Sequence, residues 1–241
     1  MNNTVIVIPA RMDSKRFPGK PLVKIEDKEM LLHVWEKAVM SKVGEVIIAC
    51  CDKEIRGLLE KNNIKYIMTP KALKSGTDRV YNALLKSKKK YDKIINLQGD
   101  IPNINPKYII RLSKLLDDKR AQITTLVAPI KETKYINDRN IVKVALAKQK
   151  KQYKALFFSR LPIPHNAKRY YEHIGIYGFK KNALEKFILF KKSLLEDAEN
   201  LEQLRALEND MSIQVGIVDK SPLSIDTKGD LKKFLKLVER N

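Results

Sequence analysis

At 241 residues the chain is long enough for one large domain or two small ones. Its 44% hydrophobic content, with 9 glycines and 10 prolines, excludes collagenous, low-complexity and largely disordered classes. Lysine and arginine number 48 against 28 aspartates and glutamates, a formal charge of +20 that suits anionic small molecules, membrane surfaces or nucleic acid without choosing among them.

Val5–Ile8 reads as a buried strand that stops at Pro9. Leu31, Leu32, Trp35, Ala38 and Val39 then recur at helical spacing, with Trp35 expected in the core. Glu45–Cys50 is the next strand. It ends in the neighbouring cysteines Cys50 and Cys51, too close for an unstrained disulfide and read as reduced, packed thiols. Ile55–Leu59 is a helix, Ile64–Met68 a strand, Arg79–Leu85 a helix and Lys93–Leu97 a strand. Pro106–Leu116 is a helix that Asn105 is placed to cap. Apolar strands alternating with helices imply a parallel sheet covered on both faces.

After Ala121 the rhythm changes. Ile123–Ala128, Ile141–Leu146 and Tyr153–Phe158 are strand-like, the last two joined by a hairpin turn at Lys148–Lys151. Ile174–Phe179 is a strand, followed by helices over Asn182–Phe190 and Glu196–Glu208. Ser212–Val218 returns to strand and Leu231–Val238 closes as a helix. The lysine runs 86–90 and 148–154 fall at helix ends and turns, as solvated surface does. Aromatics are 7% and the lysines are dispersed, so a nucleic-acid partner is not expected. The N-terminal residues lack a secretory signal, and no stretch approaches the roughly 20 apolar residues of a membrane span. The expectation is a soluble, cytoplasmic protein with no membrane insertion.

The segment from Ile8 to Leu22 carries the most chemistry. It leaves the first strand where open α/β sheets place their ligand crevice. It holds Arg11, Lys15, Arg16 and Lys20, with Pro18 and Gly19 fixing its path. Forked arginine hydrogen bonds, lysine point charges and exposed N–H groups suit a polyphosphate. The pattern is neither GxxxxGK[ST] nor GxGxxG, which removes the P-loop and dinucleotide readings.

This segment resembles the signature loop of sugar-activating nucleotidyltransferases, and in particular the 3-deoxy-manno-octulosonate (Kdo) cytidylyltransferase family. Further motifs follow in the family's order: Lys74–Arg79 (KSGTDR), Asn96–Asp100 (NLQGD), Asn140–Val144 (NIVKV), Phe157–Arg160 (FFSR), His173–Phe179 (HIGIYGF), Leu201–Arg205 (LEQLR) and Ile225–Thr227 (IDT). The resemblance implies an α/β, Rossmann-like nucleotidyltransferase fold of the nucleotide-diphospho-sugar transferase type, mostly parallel, with a smaller mixed-sheet elaboration. It implies a single domain over 1–241, with a nucleotide-binding part at about 1–120 and 212–241. A sugar-acid and dimerisation part would lie at about 121–211.

The implied reaction transfers CMP from CTP to Kdo, giving CMP-Kdo and pyrophosphate for lipopolysaccharide biosynthesis. The same transfer to another keto-sugar acid is the alternative. By resemblance Arg11, Lys20, Asp100 and Asp226 are catalytic, and Asp100 and Asp226 hold Mg²⁺. Arg11, Arg16, Lys20, Ser75, Gly76, Thr77 and Gly99 bind the nucleotide, with Arg79 a lesser candidate. Gln98, Arg160, His173, Glu202 and Gln203 bind the sugar acid, whose carboxylate suits a guanidinium and whose hydroxyls suit amides, imidazole and carboxylate. A homodimer is the implied assembly. Gly99 is expected to let the backbone approach the nucleotide closely. Two departures stand out: Ile101 where the family has an acidic residue, and Lys228-Gly229 where it has Pro-Glu, which weakens the expected helix start.

Overall fold

The computed structural model describes residues 3–14, 16–150 and 152–238. Lys15 of the basic loop and Lys151 of the hairpin turn lie outside the described residues. Two compact units make up the chain: 1–110 with 222–241, and 111–221.

In the first unit, β1 (Thr4–Pro9) is buried from Thr4 to Ile8. Such a β-branched run, apolar on both faces, needs cover on both sides. Two short strands, β2 (Lys24–Ile25) and β3 (Lys28–Glu29), pair antiparallel around Glu26, whose φ is 55°. Then come α1 (Met30–Met40), β4 (Glu45–Cys50), α2 (Lys53–Lys61), β5 (Tyr66–Met68), α3 (Gly76–Lys86), β6 (Lys93–Asn96) and α4 (Pro106–Leu115). β4 and β6 flank β1, β5 lies beyond β4, and all three pairings are parallel. From β1 the chain steps outward through β4 and β5, then crosses to β6 on the other side of β1. The gap between β1 and β6 is therefore a topological switch point, where open α/β sheets bind ligands beyond the carboxyl ends of their strands.

The expected helix over 31–39 forms, but its buried stripe is Met30, Leu31, Leu32, Val34 and Ala38. Trp35 is only half-buried and Val39 is exposed. Val34 rather than Trp35 takes the core side, because Met30, Val34 and Ala38 fall in one i, i+4 row. Asn105 caps α4 as expected, accepting the Lys107 N–H at 3.0 Å. Cys50 and Cys51 are free thiols, and burial pushes the Cys50 thiol up to about 12, which leaves it inert at neutral pH.

The second unit contains β7 (Ile123–Pro129), β8 (Lys143–Gln149), β9 (Gln152–Ser159), β10 (Tyr171–Lys180), α5 (Lys181–Leu189), α6 (Leu194–Glu199), α7 (Leu204–Glu208) and β11 (Ile213–Ile217). Its ladder is mixed: β7 is antiparallel to β10 and parallel to β11, and β9 is antiparallel to both β11 and β8. The expected parallel sheet thus describes the first unit, not the second. β11 was expected with the nucleotide-binding part, yet its ladder partners β7 and β9 both lie in the second unit. The single helix expected over 196–208 is two helices, broken where Asn200 turns left-handed at φ 55°. The chain then returns to the first unit as α8 (Lys228–Val238).

Candidate active site

The loop after β1 is built around Met12. Its carbonyl accepts the N–H groups of Ser14 and Gly19 at 3.0 and 2.9 Å. Its own N–H donates to Asp52 Oδ2 at 2.9 Å. Gly19 sits at φ 75°, a left-handed turn that a glycine adopts without strain. Phe17 anchors the loop by burying its ring in an apolar cluster with Ile25, Met30, Ile225 and Phe234 of α8. Ile225 in turn donates its N–H to the Asp100 carbonyl at 2.8 Å. One aromatic side chain and one backbone hydrogen bond therefore bring together the start, middle and end of the chain.

The result is a cavity of about 330 Å³ at the carboxyl ends of β1 and β6. That falls at the small end of ligand pockets. Arg11, Arg16 and Lys20 line it from the loop, Ser75 and Gly76 from the start of α3, and Gln98, Gly99 and Asp100 from the turn after β6. Asp226 lines it from just before α8. Of the sequence-expected residues in this unit, only Thr77 stands apart: it is buried, and its hydroxyl accepts from Asn96 Nδ2 at 3.3 Å.

At the centre, Lys20 Nζ donates to Asp100 Oδ2 at 2.7 Å and to Asp226 Oδ1 at 3.0 Å. Arg16 pairs with the other Asp226 oxygen at 2.9 Å. Burial pulls the Lys20 ammonium towards neutrality, but attraction to Asp100 and then Asp226 outweighs it and leaves its pKa raised. Among the described residues no cluster of three or more metal-ligating side chains occurs. Two convergent carboxylates nonetheless fit Mg²⁺, which characteristically takes one or two protein carboxylates and completes its shell with phosphate oxygens and water.

Gly99 lines the cavity. A Cβ there would come within 3.2 Å of the Pro9 carbonyl, so the small residue serves the packing of the β6 turn on β1. Ile101 is buried, which accounts for an apolar residue at that position. The start of α8 is not weakened. The Thr227 hydroxyl accepts the Asp230 N–H at 3.1 Å while Asp230 accepts the Thr227 N–H at 2.9 Å, a reciprocal cap just after Asp226. Ser75 and Asp78 form the same box at α3.

Three contributors escaped the sequence reading or were undervalued. Asp52 steers the loop through Met12, and the only hint was an acidic residue at a strand end. Arg79 is 2% exposed and lines the cavity; its Nη1 donates to Thr69 Oγ1 at 2.5 Å, and its guanidinium also engages the Cys51 thiol. Lys143 is fully buried, with Nζ donating to the carbonyls of Asp138, Ile141 and Arg160 at 2.8, 2.6 and 2.6 Å. A lysine inside an apolar β run was its signal.

In the second unit, Arg160 donates Nε to the Glu199 carbonyl and Nη1 to the Arg139 carbonyl, both at 3.0 Å. Glu199 accepts the Arg160 N–H and the Ser159 hydroxyl at 2.9 and 2.7 Å. Gln203 is buried, whereas Glu202 is partly exposed and lies 3.9 Å from Arg205. His173 packs between Phe158 and Tyr177. Thr125 Oγ1 lies 2.9 Å from His173 Nε2 and within 3.2 and 2.8 Å of the Ile174 and Ile176 carbonyls, which fixes one edge of the imidazole.

Burial pushes the His173 imidazole down to about 3 from 6.5. Between those values the unfolded chain takes up a proton that the folded chain refuses. This residue therefore makes stability fall as pH drops through that window and has no effect above it. The slope is at most one proton, about 1.4 kcal/mol per pH unit. His173→Asn is expected to flatten the dependence of thermal stability on pH between 6.5 and 4; a curve parallel to the parent's would mean the imidazole is hydrated.

Comparison with known proteins adds sequence and fold relationships to this geometry. A family model described as Cytidylyltransferase matches residues 5–213. A 3-deoxy-manno-octulosonate cytidylyltransferase from Bartonella tribocorum is 41% identical over 237 residues, 97% of this chain and 98% of its own. One from Paramagnetospirillum magneticum is 38% identical over 239 residues, covering 98% and 97%. Among solved structures, a CMP:2-keto-3-deoxy-manno-octonic acid synthetase complexed with CTP matches with a TM-score of 0.91 and 35% identity, covering 98% of both chains. A cytidylyltransferase from Leptospira borgpetersenii, at 18% identity and TM-score 0.66, covers 99% of this chain and 87% of its own and shares the fold alone.

Proposed function

The chain belongs to the 3-deoxy-manno-octulosonate cytidylyltransferase family, and we infer from that membership that it transfers CMP from CTP to Kdo, releasing pyrophosphate, in lipopolysaccharide biosynthesis. The observation that carries the reading is the cavity in which Arg11, Arg16 and Lys20 meet Asp100 and Asp226. Its finer description is a Rossmann-like nucleotidyltransferase, acting as a cytoplasmic homodimer.

In this reading the anomeric hydroxyl of the sugar acid attacks the α-phosphorus in line. The bond from the α-phosphorus to the oxygen it shares with the β-phosphate breaks, the negative charge leaves on pyrophosphate, and the hydroxyl proton passes to solvent. Arg11, Arg16 and Lys20 hold the triphosphate and neutralise the leaving group, so catalysis is positioning and charge stabilisation with no covalent intermediate. Asp100 and Asp226 would hold Mg²⁺, whose charge would neutralise the phosphates and lower the pKa of the attacking hydroxyl. Arg160 pairs with the sugar acid's carboxylate. His173, Gln98, Glu202 and Gln203 receive the sugar hydroxyls.

The reading as a whole is tested by pyrophosphate release from CTP with a panel of sugar acids. Release with Kdo, with CMP-Kdo as the product, is expected. No release with Kdo, or faster turnover of a sialic acid, would overturn it.

A further inference from the structure

We propose that Lys20 occupies the divalent-cation place of the free protein and yields it only when a triphosphate arrives. This inference rests on Asp100 and Asp226 as cation ligands and goes beyond that assignment.

The ammonium of Lys20 lies 2.7 Å from one carboxylate and 3.0 Å from the other, and its side chain is only 15% exposed. A magnesium ion bridging the same two carboxylates needs oxygens at about 2.0–2.1 Å. It would take the space that the ammonium fills and meet its positive charge at contact distance. Arg16 on the far oxygen of Asp226 completes the balance: two negative groups face two positive ones, and no net negative charge is left to draw in a dication.

A triphosphate changes both terms. Lys20 and Arg16 line the same cavity, so phosphate oxygens can take over their hydrogen bonds and release both carboxylates. Cation and nucleotide then bind with positive coupling, each raising the affinity of the other by the same factor. Lys20 is a two-position residue: a plug on the carboxylates in the free protein, and a phosphate ligand in the loaded one.

The test titrates Mn²⁺ alone into nucleotide-free protein and reads the free-ion signal by electron paramagnetic resonance. Lys20→Met is expected to bind Mn²⁺ at least tenfold more tightly than the parent, and adding Asp100→Asn to that variant is expected to abolish the gain. Equal or weaker binding by Lys20→Met overturns the plug. If Mn²⁺ binding with pyrophosphate present is also indifferent to Asp100→Asn, the assignment of the carboxylates to the cation falls with it; if that binding does depend on Asp100, the assignment stands and only the plug is lost. The parent protein supplies a second measurement free of folding effects. Acetylation of Lys20 by an amine-reactive ester, followed by mass spectrometry, is expected to stay unchanged at Mn²⁺ concentrations that saturate Lys20→Met, because no triphosphate is present to release the ammonium. A several-fold rise with Mn²⁺ alone overturns the proposal.

Discussion

Asp100→Asn is expected to leave the fold standing and to lower kcat by about 10²–10³-fold, the cost of removing one preorganised charge-stabilising group. The substitution is nearly isosteric. The backbone carbonyl that receives the Ile225 N–H at 2.8 Å is untouched, so the tie between the β6 turn and the segment before α8 survives. Lys20 keeps Asp226 at 3.0 Å. What is lost is one of the two carboxylate charges at the focus of the cavity and, in the function proposed, one of the two groups that would hold a divalent ion. The measurement is turnover at saturating CTP, Kdo and Mg²⁺, beside a thermal melt. A melt within a few degrees of the parent with turnover reduced is the expected pair, and near-normal turnover would remove Asp100 from the reaction.

Much of this site was legible because its residues sit at element ends that local sequence marks. Pro9 stops β1, and the basic loop must follow it. Asp100 comes just after an apolar run, and Ser75 opens a helix with Asp78 three residues on. Strand-end placement is a local property, and parallel ladders then set those ends side by side. What could not be read was convergence. Nothing near Phe17 announces that its ring packs with Ile225 and Phe234, more than 200 positions away, yet that contact carries Asp226 to Lys20. Tertiary packing likewise overrode the local pattern at Trp35 and Val39. At Asn200 a single left-handed residue divided an otherwise helical stretch. The motif over 140–144 was legible as a strand, but not the reason for a lysine within it, because that reason is three carbonyls contributed by separated stretches of backbone.

Lys143→Met is expected to destabilise the protein by about 2–5 kcal/mol, as leaving buried carbonyls without their donor does. The ammonium has three N–H donors, and all three are spent, on the carbonyls of Asp138, Ile141 and Arg160. Burial lowers the Lys143 pKa, while Asp138, Glu199 and Glu172 favour its charged form. Methionine fills the volume and strands the Ile141 and Arg160 carbonyls, each costing about 1–3 kcal/mol if left without a donor, while the Asp138 carbonyl keeps the Ile141 N–H at 3.2 Å. At roughly 2–4 °C per kcal/mol for a chain of this size, the melt should fall by about 10 °C. Lys186→Met, at an exposed position of α5, supplies the comparison and should stay within about 0.5 kcal/mol of the parent. The functional consequence separates the two substrates. The Arg160 carbonyl loses its tether while the loop around Met12 does not; with Arg160 holding the sugar acid as proposed, KM for that substrate should rise several-fold with KM for CTP held. Equal melts for the two methionine variants would mean that water replaces the ammonium at all three carbonyls, and that Lys143 does not hold Arg160 in place.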